Sequence, residues 1–99
     1  ALEGVNSRVV ALERLVQQRP NEWPLHEGLA RLLRERAQLT GSPDDLERAE
    51  EVLKRAFEIA PQGSGPAITA ARVSLSLHKI DDAEKYLAIS TAWKILPLN

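Results

Sequence analysis

Ala49, Leu53 and Ala56 recur 34 residues later as Ala83, Leu87 and Ser90, and on the same step Leu46 is answered by Ile80 and Glu50 by Glu84. A recurrence of small and bulky side chains at a period between about 20 and 50 residues constrains a chain severely. It signals stacked supersecondary units, none of which can bury its apolar face alone. In 99 residues there is room for one small domain of such units, residues 1–99, which buries roughly 60–65% of its unfolded surface.

The spacing of apolar residues predicts five helices and no strand. Over Leu2 to Gln18, Val5, Val9, Leu12 and Val16, with Leu15 beside them, follow the three-and-four step of a helix buried on one side. Arg19-Pro20-Asn21 stops it, because the residue before a proline is pushed out of the α region, and Asn21 is expected to cap the next helix. That second helix carries Pro24 in its first turn and runs to about Leu39, with Leu25, Leu29, Leu32, Leu33 and Ala37 inward. Thr40 to Asp45 reads as a stop and a start: Gly41 past a helix end, Ser42 as N-cap, Pro43 at the first helical position, then two acids against the dipole. The third helix is expected to reach Ala60 and to bury Leu46, Ala49, Leu53 and Ala56. On its wet side Glu50 is expected to pair with Lys54 and Glu51 with Arg55. Pro61 to Pro66 reads as a flexible loop, a short alanine-rich fourth helix follows from about Pro66 to Leu77, and a fifth starts near Asp81 and ends before Pro97.

Ala49, Leu53, Ala56 and Pro61 resemble the second-helix half of the tetratricopeptide repeat (TPR), whose period is also 34 residues. Ala71, twelve residues before Ala83, stands where the family places a small residue against the partner helix, and Ala30 holds the same place in the second helix. Val5, Leu12, Leu15 and Pro20 precede Leu46, Leu53, Ala56 and Pro61 by 41 residues, so the middle unit carries a seven-residue insertion. Seven residues are close to two helical turns. Lengthening the second helix by that much turns its apolar face by only ~20° and adds ~10 Å, and Leu32, Leu33, Ala37 and Leu39 fit such an extension. The resemblance covers about two and a half repeats. Arg8, Ser90 and Ile95 depart from the pattern, where it asks for a small residue, an alanine and a closing proline.

The resemblance implies an all-α fold, a short right-handed solenoid of stacked antiparallel hairpins, and a role in binding another protein or peptide along the concave face. That face is made by the first helix of each hairpin, here the second and fourth helices. With Ala30 and Ala71 set inward, helical spacing puts Glu27, Arg31, Arg34, Ile68, Arg72 and Leu75 along the groove. The bland alternative is that Arg31 merely pairs with Glu27 or Glu35. Family members that grip a C-terminal carboxylate use a lysine and asparagines that this groove lacks. The apolar finish, with Trp93, Ile95 and Leu96, is where a solenoid needs a polar cap, so these residues are a candidate interface between copies or toward further repeats. Trp23 and Trp93 themselves read first as packing residues.

Composition narrows the remaining classes. Thirteen basic against 14 acidic side chains leave no electrostatic footprint for a nucleic-acid backbone. The longest apolar stretch, Ala67 to Leu77, is interrupted by Arg72 and falls well below the ~20 residues that span a bilayer, so no direct membrane insertion is expected. Cysteine is absent, which excludes disulfides and thiolate chemistry and leaves cytoplasmic and periplasmic locations both open. Without methionine the chain carries no initiator, so it is expected to be a processed product or, the favoured reading, a segment of a longer protein. His26 and His78 each have one carboxylate four residues away, Glu22 and Asp82, and no third ligand, so neither a metal nor a cofactor is expected. Ser74, Ser76 and Ser90 have no nucleophile-elbow setting, and Gly63-Ser64-Gly65 lacks the following lysine of a phosphate loop, so no catalytic residue is expected.

Overall fold

The computed structural model describes residues 2–61 and 64–95, with side chains through residue 90. Five helices follow one another: α1 (Leu2–Gln18), α2 (Trp23–Thr40), α3 (Asp44–Ile59), α4 (Ala67–Ser76) and α5 (Ile80–Ile95). The protein is all-α, and no strand occurs among the described residues. Each helix packs on the next in sequence, and α2 also meets α4. The smallest dimension is 19 Å, the thickness of two helix layers.

The residues on which the repeat depends sit in the core. Ala49, Ala56 and Ala30 are fully buried, and Ala71 and Ala83 nearly so. With Val5, Val9, Leu29, Leu33, Leu53, Ala70 and Val73 they line a core that runs through all the helices. Small residues at these crossings let the helix axes approach, and Leu33 and Leu53 fill the gaps between them. The recurrence is not symmetrical in burial. Leu53 is 2% exposed beneath α4, whereas Leu87, its counterpart on the last helix, is 45% exposed. Ile80, the counterpart of Leu46, is exposed as well, and so is Leu39 near the end of the second helix.

Helix ends follow local chemistry, and some bonds depart from expectation. Gly41 takes the left-handed conformation (φ 74°) and returns its N–H to Ala37, and Ser42 Oγ accepts from the Asp44 N–H at 3.3 Å. At the start of α2, however, Glu22 occupies the cap position. Asn21 is drawn into a turn closed by the Glu22 N–H on the Arg19 carbonyl at 3.2 Å. At the end of α4, His78 adopts φ 61°, the one positive φ outside glycine among the described residues, while its N–H and that of Lys79 close on Leu75 and Ser74. That is a Schellman stop with histidine where glycine is usual. Finally, Glu50 does not pair with Lys54, because Lys79 in the α4–α5 turn takes its carboxylate at 2.8 and 3.0 Å, and Arg55 meets Glu58 instead of Glu51. The Glu50 bond joins neighbouring units in place of a pair along one helix, whereas the Arg55 pair only shifts partner within α3.

Two further contacts hold the stack. Arg36, near the end of α2, donates two hydrogen bonds of 2.8 Å to the Asp45 carboxylate at the start of α3 and a third, of 3.1 Å, to Asn6 of α1. The Phe57 ring lies on that of Tyr86 with centroids 5.4 Å apart, stacked, and Gly65 packs against Phe57 so closely that a Cβ there would fall 2.6 Å from the ring. Of the loop read as flexible, Gly65 is thus held against Phe57, while Gln62 and Gly63 lie outside the described residues.

Candidate functional site

Helix α4 is buried nearly all round. Ala67, Thr69, Ala70, Ala71, Val73 and Ser74 are covered, and a single stripe of Ile68, Arg72 and Leu75 remains outside. The spacing of four and then three keeps these on one face. Ile68 is 53% exposed and Leu75 48%, although either could have stabilised the core by burial. On α2 the matching outer face carries Glu27, Arg31, Arg34, Glu35 and Gln38, while His26, Leu29, Ala30, Leu33 and Ala37 point into the core.

Two polar bridges join these faces. Thr69 Oγ1 donates to Glu27 Oε2 at 2.8 Å, and Arg34 Nε donates to Ser76 Oγ at 3.3 Å. Both connect residues 42 apart in sequence, so α2 and α4 run in the same direction in fixed register. α2 is the longer, 18 residues against 10. Between the bridges lies a cleft of about 240 Å³ lined by Arg31, Arg34, Glu35, Gln38, Thr69 and Arg72. A neighbouring hollow of similar size at the start of α4 is lined by Glu27, Pro66, Ile68, Ile89 and Ser90 among others.

The structure thus gathers Arg31, Arg34 and Arg72 in one cleft and Glu27 with Ile68 in the next, while Leu75 shares the α4 stripe outside both. Arg31 does pair with Glu27, as the bland reading of the sequence held, at 3.6 Å and with its own side chain 65% exposed. Arg34 spends one donor on Ser76, and Arg72 has no ion-pair partner among the described residues. Sequence reasoning missed Thr69 and Ser76 as bridge residues. Their signal was the shared separation from Glu27 and Arg34, legible only once the two helices are known to lie side by side. Trp23 is half-buried at the start of α2, while the side chains of Trp93 and Ile95, and Leu96, lie outside the described residues.

The opposite face has a shallow cleft of about 340 Å³ between α1, α2 and α3, floored by Val16, Leu29 and Val52. An Arg48–Glu13 ion pair reaches across it, so its charges are already partly matched. His26, at its edge, is buried and bonds through Nε2 to the Pro20 carbonyl at 3.0 Å. A carbonyl only accepts, so Nε2 carries the proton. His78 lies exposed in the α4–α5 turn. Among the described residues no three His, Asp or Glu side chains are grouped to hold a metal, and no helix is long and apolar enough to cross a membrane. Compared with known proteins, the chain matches no family model, no curated protein and no solved structure.

Proposed function

We propose that this chain is a TPR-like protein-interaction module that holds a segment of a partner protein in the groove between α2 and α4 and carries out no reaction of its own. One observation supports this reading above the rest: three arginines and two half-exposed aliphatic side chains share one face, on helices bridged in fixed register. Large apolar side chains left beside underused guanidinium groups favour a ligand with both apolar and hydrogen-bonding surface. An unbiased peptide-display selection against the 99-residue chain tests it. The selected peptides should lose about tenfold or more in affinity for the Arg31→Ala, Arg72→Ala double variant, whose melting temperature should stay within a few degrees of the parent's. Selected binders indifferent to both substitutions would remove the groove from consideration.

A second reading, assembly with copies of itself or with neighbouring repeats, draws on Leu2 and Val10 of α1 and Ile80 of α5, all exposed on the first and fifth helices. Light scattering at high concentration separates the two. A dimer broken by Trp93→Glu favours assembly, and a strict monomer counts against it.

A further inference from the structure

The outer stripe of α4 has an aliphatic side chain at each end and a cation between them: Ile68, Arg72, Leu75. Ile68 and Leu75 are seven residues apart, about 10.5 Å along a helix. A segment lying along α4 must offer apolar side chains on one face at about that separation. A β-strand returns a side chain to the same face every two residues, at about 6.6 Å and then about 13 Å, and fits neither way. In polyproline II geometry every third side chain comes back to the same face, about 9.3 Å on, which matches. A partner helix with apolar residues seven apart has the right pitch but the wrong girth. The bridges of 2.8 and 3.3 Å close the α2–α4 seam, so a cylinder of about 10–12 Å would rest on the ridges above the cleft.

Of the two residues between the apolar pair of such an extended segment, which point to opposite sides of its apolar face, one projects toward α2, over Arg31, Arg34 and Arg72. The cleft lining carries these three positive charges against the one negative charge of Glu35. Arg72 has no ion-pair partner among the described residues, and Arg31 is held only loosely by Glu27 at 3.6 Å. Guanidinium groups presented in this way bind carboxylates by charge-assisted, often two-pronged, hydrogen bonds.

We infer that the groove selects a polyproline II segment with two apolar side chains three residues apart and at least one acidic side chain between them. This rests on the groove being the binding surface, as proposed above, and adds the chemistry of what occupies it. The probe is an acetylated, amidated hexapeptide, Pro-Leu-Glu-Glu-Leu-Pro, titrated calorimetrically into the intact chain. Saturable binding is expected, weakened about tenfold when both glutamates become glutamine and about tenfold again by Arg72→Glu in the protein. The same peptide with a free C-terminus should bind within about twofold of the amidated one.

Equal binding of the glutamine peptide overturns the acidic requirement and leaves the groove reading standing. Binding only with a free C-terminus assigns the carboxylate to a chain end and overturns the internal-side-chain claim. Tighter binding of an alanine-rich helical peptide with leucines seven apart overturns the extended geometry. No binding of any of these, while display-selected peptides still depend on Arg31 and Arg72, overturns the inference alone.

Discussion

Thr69 donates its hydroxyl hydrogen to Glu27 across the seam between α2 and α4, 2.8 Å from oxygen to oxygen, with the threonine 4% exposed. A buried donor on a charged acceptor contributes more than an ordinary hydrogen bond. Replacing Thr69 by valine keeps the shape and removes the donor. It should lower stability by about 1–2 kcal/mol, and in a chain of this size the melting temperature by several degrees. A urea titration of Thr69→Val, Glu27→Gln and the double variant should show a coupling of about 1 kcal/mol between the two positions. Additive effects would mean that the bridge does not set the register of the groove.

Gly65 is the second pinned point. Its φ of +124° suits only glycine, and an added Cβ would lie 2.6 and 2.7 Å from two atoms of the Phe57 ring. Gly65→Ala therefore combines backbone strain with a clash and should cost about 2–3 kcal/mol by thermal or urea denaturation. Gly4→Ala is the control. Gly4 is helical with nothing within 4 Å of its added Cβ, so that substitution should stabilise by about 0.5–1 kcal/mol. Equal effects at the two sites would contradict the packing described for Phe57.

What could be read from the sequence, and what could not, follows the range of the interactions. The five helices and the burial of Ala49, Leu53 and Ala83 were legible because helical periodicity is written within one segment. The Gly41-Ser42-Pro43 stop and start was legible for the same reason. The cap itself shifts by one residue: Pro43, not Ser42, takes the N-cap place, and Ser42, just ahead of it, accepts the Asp44 N–H through Oγ. The stack of Phe57 on Tyr86 over Gly65 was not legible, since it joins three segments whose meeting depends on how the hairpins dock. The capture of Glu50 by Lys79 belongs to the same class. Of the groove, helical spacing on Ala30 and Ala71 located the outer faces of α2 and α4, but the bridging hydroxyls of Thr69 and Ser76 emerge only from the register between the helices.

His78 closes α4 in a conformation that costs a side-chain-bearing residue about 1 kcal/mol. His78→Gly relieves that strain but makes the unfolded chain more flexible. The net expectation is a gain of about 0.5 kcal/mol, seen as a small rise in the denaturation midpoint. His78→Val, β-branched, should instead lose 1 kcal/mol or more. A loss of stability in the glycine variant would show that the histidine makes a contact worth more than its strain.

The Arg36–Asp45 pair gives stability a dependence on pH. The paired hydrogen bonds from Arg36 hold the Asp45 carboxyl below the usual carboxylate range, and burial opposes them only in part. A lowered folded value means that the unfolded chain binds the proton more readily. The stabilisation is therefore complete above about pH 5 and fades as pH falls through the ordinary carboxylate range toward the folded value. Asp45→Asn should cost about 1–2 kcal/mol at pH 7, and the gap from the parent should narrow at pH 3 and below. A gap that stays constant with pH would assign the loss to packing.

The most direct test of the central claim, that the seam between α2 and α4 is where a partner lies, is an amide chemical-shift map of the isotope-labelled chain titrated with a display-selected peptide. The account predicts that the perturbed amides cluster in residues 27–38 and 68–76 and that the cluster vanishes in the Arg31→Ala, Arg72→Ala variant. A map centred instead on residues 13–17 and 48–55, in the cleft between α1 and α3, would contradict it.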